Sequence, residues 1–163
     1  MNAATVKFSQ FSPDVIDGFL DTWREQIATL EASLDAKQDA DEFYDDDDRK
    51  LEIAEWITDH FPHPDFETSW WDTPGVVALT GEWFFNGAGD ISPDTDDMNT
   101  WVGVISSDEL SGLLIVLAKA YAKVLESGTD HTGFKGAAPA LIKFLAETMD
   151  AGDCIFYCHE CPN

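Results

Sequence analysis

Three cysteines and one histidine lie close together in the last ten residues of the sequence. Cys158 and Cys161 form a C-x-x-C pair, and two thiolates at this spacing can bind one tetrahedral zinc ion. A complete site would need further ligands from Cys154, His159 or a distant histidine, because the sequence holds no second C-x-x-C pair. Free thiols are the simpler interpretation, so we expect no cofactor. A small zinc-binding interaction module built on Cys154, Cys158 and Cys161 stays as an alternative function.

A second group of residues that could do chemistry is a cluster of aspartates whose oxygens resemble calcium ligands. The EF-hand pattern fails, because position six counted from Asp94 is Asn99 and position twelve is Ile105. The cluster therefore indicates an acidic loop and not a calcium site. Its members are Asp90, Asp94, Asp96 and Asp97.

Other catalytic motifs are absent from the sequence. A proline separates His60 from His63 and breaks the helix that an H-E-x-x-H zinc site requires. No G-x-S-x-G, P-loop or complete dinucleotide-binding motif occurs. With 32 acidic residues, pairs of carboxylates are expected by chance and do not indicate a glycosidase. We therefore predict that the protein is not an enzyme.

Capping residues and apolar periodicity predict four helices. Ser12-Pro13-Asp14 reads as the start of the first helix, and an apolar stripe from Ile16 to Leu34 continues it. A capping box at residues 106–109 starts the third helix, which ends before Gly128. Pro139 is expected in the first turn of the last helix. The predicted ranges are about 13–36, 51–61, 107–127 and 138–149.

The predicted strands are fewer and shorter. Residues 76–85 read as a bent strand or a hairpin, and residues 100–105 as another strand. Residues 155–157 could add a short edge strand. Loops are predicted after the second helix, where Asp65 and Glu67 lie, and at residues 86–99. The sequence thus predicts one α+β domain, in which a small antiparallel sheet of about three strands packs with four helices.

The charge of the chain limits its partners. It has 32 acidic and 9 basic residues, a formal net charge of −23, which repels nucleic acids and anionic lipids. Duplex DNA carries about as many charges over roughly 40 Å, which is also about the width of a compact chain of this length. This match permits DNA mimicry, although a merely solvated acidic surface would have the same charge. No signal peptide or apolar run of membrane-spanning length is present, so we expect a cytoplasmic, unanchored protein.

Residues 80–90, which read TGEWFFNGAGD, resemble the glycine-aromatic strand and following loop of the plasmid antirestriction family of the ArdB and KlcA type. Ser107 and Gly112 fall where that family has the first serine and a glycine of its central helix. Glu82 departs from the pattern by replacing a family glycine. The resemblance covers about residues 51–157. It divides the chain into an acidic N-terminal helix and connection (1–50), an antirestriction-like core (51–157) and a Cys-containing tail (158–163).

The resemblance implies relief of type I restriction of incoming plasmid or phage DNA, without chemistry at particular side chains. The expected partner is a defence protein with a basic surface, such as a restriction enzyme subunit, and not nucleic acid or a membrane. An alternative is an acidic DNA mimic that inhibits another nucleic-acid-handling complex, such as a CRISPR effector. The acids predicted to contact the partner are Asp45, Asp46, Asp47, Asp48, Asp90, Asp94, Asp96 and Asp97.

Overall fold

A computed structural model describes residues 3–71, 100–127 and 133–160 of the chain. In these ranges four helices and one four-stranded sheet follow each other along the sequence, which confirms the predicted α+β class. None of the described helices is long and apolar enough to span a membrane. The elements are β1 (Ala3–Phe11), α1 (Pro13–Ala40), α2 (Asp46–His60), β2 (Phe66–Trp71), β3 (Thr100–Ile105), α3 (Ser107–Ser127), α4 (Phe134–Asp150) and β4 (Cys154–Glu160).

The sheet is antiparallel throughout, with the strand order β2-β1-β4-β3. Phe8 of β1 lies opposite Phe66 of β2 on one side and opposite Tyr157 of β4 on the other. Val104 of β3 lies opposite Phe156 of β4. The described sheet has four strands where about three were predicted, and two of the four, β1 and β2, were not assigned from the sequence.

The strand predicted at residues 155–157 is confirmed, but its predicted short length and edge position were wrong. β4 spans seven residues and pairs with β1 and β3, so it lies inside the sheet. Its residues from Cys154 to His159 are all buried, because helices cover both faces of this strand. A continuous apolar run is typical of a strand buried on both faces. Residues 158–160, assigned to the tail, belong to β4.

Side chains of the sheet alternate between two apolar cores. Val6, Phe8, Ile155 and Tyr157 pack with α3 and α4 on one face. The opposite face packs with α1 and α2, so the fold has two helical layers with the sheet between them. The second core contains Cys154, Phe156 and Cys158 of β4 together with Ile16, Leu20, Trp23, Ile27, Leu34, Ile53 and Ile57 of the helices.

The start of α3 agrees with the sequence prediction. The Ser106 hydroxyl donates to Glu109 Oε1 at 2.9 Å, and the Glu109 N–H donates to Ser106 Oγ at 3.3 Å. These two contacts satisfy N–H and O–H groups at the first turn of the helix. The predicted strand at residues 100–105 is likewise confirmed as β3. The predicted strand at 76–85 and loop at 86–99 lie outside the described residues.

Other predicted boundaries need correction. α4 begins at Phe134 and not at residue 138, because the Phe134 side chain is fully buried and anchors an additional turn. Pro139 therefore lies inside α4 and not in its first turn, where it has no N–H to donate to the carbonyl of residue 135. α1 continues to Ala40, beyond its predicted end at residue 36. Glu67, which was predicted in a loop, lies in β2.

One buried side chain of β4 makes the stability of the protein depend on pH. His159 is 1% exposed, and burial lowers its pKa to about 4, whereas the unfolded chain should have a value of about 6.5. The unfolded state therefore takes up the proton first as the pH falls. The contribution of neutral His159 to the free energy of unfolding is therefore complete above pH 6.5 and decreases as the pH falls towards 4. Between pH 7.5 and pH 5 we expect a loss of about 2 kcal/mol from this group.

The matched comparison is with His159→Gln, which removes the titrating ring but keeps all carboxylates. Urea unfolding of both proteins at pH 7.5 and pH 5 avoids the isoelectric point near 4.1. Carboxylate protonation contributes equally to both proteins, so the difference between their pH dependences isolates His159. The prediction fails if the two proteins change in stability by the same amount.

Candidate protein-binding surface

Among the described helices, the acidic side chains are concentrated on one side of the sheet. Residues 13–60, which include α1, α2 and their connection, hold 16 acidic and four basic residues, a net charge of −12. α3 and α4, on the other side, hold five acidic and four basic residues, a net charge of −1. We call residues 13–60 the acidic layer. Its length and charge make it the candidate surface for a basic partner.

Ion pairs between α1 and α2 occupy part of the basic charge of the acidic layer. Lys37 Nζ lies 2.6 Å from Glu52 Oε1, and Arg49 Nη1 lies 2.6 Å from Asp35 Oδ1. The hydrogen bond from Lys37 holds the pKa of the Glu52 carboxyl below its usual range. The pKa of Tyr44 is raised to about 12, mainly by burial and to a smaller extent by the nearby Glu52 carboxylate. These contacts join the two helices and leave an excess of acids facing solvent.

The four consecutive aspartates predicted as partner contacts have different roles. Asp45 is the N-cap of α2: its Oδ1 accepts from the Asp48 N–H at 2.9 Å, and Asp48 accepts from the Asp45 N–H at 3.2 Å. Asp46 accepts a 2.9 Å hydrogen bond from the Gln38 side chain of α1. All four side chains are exposed. They lie in the acidic layer, and three of them also hold the start of α2.

This difference predicts unequal effects of substitution. Asp45→Ala removes the N-cap and should lower the free energy of unfolding by about 1 kcal/mol, because the first N–H groups of α2 lose their acceptor. Asp47→Ala removes the same charge without breaking a hydrogen bond given by the described residues, and should change stability by less than about 0.5 kcal/mol. Urea unfolding of the two variants provides the measurement. Equal losses would show that Asp45 has no particular role as a cap.

A groove of about 490 Å³ lies between α1 and α2 inside the acidic layer. Its aromatic wall is formed by Trp56 and His60, whose rings stack at a centroid distance of 4.3 Å and an angle of 15°. Trp56 also packs edge-on against the buried Trp23 at 5.0 Å, which fixes this wall to the core. The polar wall comes from α1. The lining of the groove includes Glu25, Gln26, Thr29, Ser33, Trp56 and His60.

The cysteines do not assemble into a metal site in the part of the chain that the structure describes. Cys154 and Cys158 are four residues apart in β4, so their Cα atoms are about 13 Å apart, too far to share one zinc ion. Burial raises the pKa of the Cys154 thiol, whose Sγ donates to the Phe11 carbonyl at 3.3 Å. No group of three potential ligands occurs among the described residues. Cys161, like Asp90, Asp94, Asp96 and Asp97, lies outside those residues.

The chain was compared with protein-family models, with curated proteins and with solved structures, and none of these comparisons gives a match. Inferences about function therefore start from the acidic layer and its groove. The sequence reasoning identified the acidic run of α2 but not the groove. Its residues come from two helices, and only the packing of α1 against α2 brings Glu25 near Trp56.

Proposed function

We propose that the protein is an anti-defence inhibitor, which uses its acidic layer to bind the basic nucleic-acid-binding surface of a defence protein. The first candidate target is a type I restriction enzyme, as the sequence resemblance implies, so that the inhibitor relieves restriction of incoming plasmid or phage DNA. The proposed action is binding without catalysis. The observation that carries the proposal is the contrast in charge between the described helical layers, with −12 in the acidic layer and −1 in α3 and α4.

The magnitude of the charge supports an interaction with a nucleic-acid-binding surface. α1 has 28 residues and is therefore about 42 Å long. A duplex of that length carries about 25 phosphate charges. The net charge of −12 on the acidic layer is about half of this number, comparable to what one face of a duplex presents. A basic groove that approaches from one side would meet a similar density of negative charge.

A second candidate is an acidic DNA mimic directed at another nucleic-acid-handling complex, such as a CRISPR effector. The same charge distribution favours it, because the acidic layer carries no element specific to restriction enzymes. The two candidate functions differ in their target and in whether the protein must compete with nucleic acid for it. A DNA mimic must compete with duplex or guide nucleic acid for its target, whereas an inhibitor that binds elsewhere on a restriction enzyme need not.

The plating efficiency of unmodified phage on cells with a type I restriction system tests the proposal. Expression of the protein should raise the efficiency by several orders of magnitude in restricting cells and leave it unchanged in cells without the system. Co-purification should then recover a restriction subunit. Unchanged plating together with no recovered subunit would reject the restriction enzyme as the target. Parallel plating against a CRISPR system would then test the second candidate.

A further inference from the structure

We infer that the groove between α1 and α2 is a binding site for an arginine side chain presented by the basic partner. The inference rests on the proposed function, because it assigns to that function a specific contact within the acidic layer. It rests on the hydrogen-bond acceptors in the groove, which include the Glu25 carboxylate and the Thr29 hydroxyl oxygen, and on the aromatic wall. Arginine is the side chain that combines positive charge, five N–H donors and a planar face.

The acceptors follow from the hydrogen bonds already made. The Thr29 hydroxyl donates its hydrogen to the Glu25 carbonyl at 3.0 Å, so its oxygen can only accept from a ligand. His60 Nδ1 lies 2.9 Å from the Trp56 carbonyl oxygen. A carbonyl only accepts, so Nδ1 donates the hydrogen in this contact. Glu25 adds a carboxylate, for which the described residues provide no basic partner.

The aromatic wall suits a flat cation. The rings of Trp56 and His60 stack on each other and line the groove, so a guanidinium group could pack only on the aromatic surface that this stack leaves open. Because His60 is exposed and Trp56 partly buried, a ligand reaches the wall from solvent without a rearrangement of the core. A lysine ammonium has three donors and no planar face, so it would use the same groove less well. Arginine is also enriched among the residues that dominate protein interfaces.

Direct binding to the full chain tests the inference without a restriction enzyme. Tetra-arginine and tetralysine peptides have the same number of basic side chains, and each would be titrated while NMR signals of the chain are followed. We expect tetra-arginine to bind about threefold to tenfold more tightly. Its shifts should concentrate on residues 25–33 and 56–60. Equal affinities for the two peptides, or shifts spread evenly over the acidic layer, would overturn the inference.

Two variants identify the groove as the cause of the preference. Glu25→Gln removes the carboxylate from the groove, and Ser33→Trp fills the groove without changing the charge. Both should abolish the preference for arginine. Asp39→Asn is the matched control, since it removes an exposed charge of α1 outside the groove and should weaken both peptides equally. A preference that survives both groove variants in folded protein would reject the site.

The peptide-binding experiment and the restriction assay can fail independently of each other. If tetra-arginine binds in the groove and restriction is not relieved, the site stands and the proposed target is wrong. If restriction is relieved equally well by the parent chain and by Glu25→Gln, the function stands and the groove is not its contact. Thermal unfolding of each variant verifies that the chain is folded before either result is interpreted.

Discussion

A triple variant that neutralises Asp17, Asp47 and Glu55 should bind its basic partner about threefold to a hundredfold more weakly at about 0.1 M salt. The three side chains are exposed and lie in different parts of the acidic layer. Each exposed ion pair contributes about 0.2–1 kcal/mol, and three such losses together give an effect of this size. The variant should also show a weaker dependence of affinity on salt, because fewer counter-ions take part in binding. The substitutions are Asp17→Asn, Asp47→Asn and Glu55→Gln.

The matched control neutralises three acids of the opposite layer, Glu126, Glu147 and Asp150, and so changes the net charge equally. It should leave the affinity within about twofold, because long-range attraction is screened beyond about 10 Å at ordinary salt. Titration calorimetry at two salt concentrations gives affinity and salt dependence together. If both variants weaken binding equally, only the total charge matters and the acidic layer is not the contact surface.

Trp23→Ala should lower the free energy of unfolding by about 3–5 kcal/mol, the largest effect that we expect for one substitution. Trp23 is 2% exposed, and its ring centroid lies 5.0 Å from those of both Phe156 in β4 and Trp56 in α2. The indole thus connects α1 to the sheet and to the second helix of the acidic layer. Its removal leaves a cavity at the point where three elements meet.

Val15→Ala provides the control for Trp23→Ala on the same helix. Val15 is 55% exposed, so its truncation should cost less than about 0.5 kcal/mol. Urea unfolding followed by circular dichroism measures both variants. If Trp23→Ala costs no more than Val15→Ala, α1 does not pack on the sheet through this residue. The groove wall at Trp56 would then also lack its support.

Helices could be predicted from the sequence with more success than strands, for a physical reason. The capping box at Ser106 and Glu109 and the stripe of α1 are local signals, since their residues contact each other within one or two turns. The position of β4 in the sheet depends on β1, which is distant in sequence, and no local pattern specifies that pairing. The apolar run of β4 was consistent with a buried strand, but its short length suggested an edge.

The candidate surface was predictable only in part. The run from Asp45 to Asp48 is visible in the sequence, and the structure places it at the start of α2 in the acidic layer. The contrast between the two layers was not predictable, because it depends on which helices share a face of the sheet. The same holds for the groove, where Glu25 and Trp56 come from different helices.

The central position of β4 has a consequence for how the chain reaches its native state. Phe11 of β1 and Cys154 of β4 are 143 residues apart, yet they are paired in the sheet. A ribosome must therefore synthesise all the residues between β1 and β4 before the two middle strands can meet. Contacts between such distant segments slow folding, because the entropy of loop closure is lost before the pairing compensates for it. Until β4 arrives, β1 exposes an unpaired edge, and nascent chains of this protein should depend on chaperones during that interval.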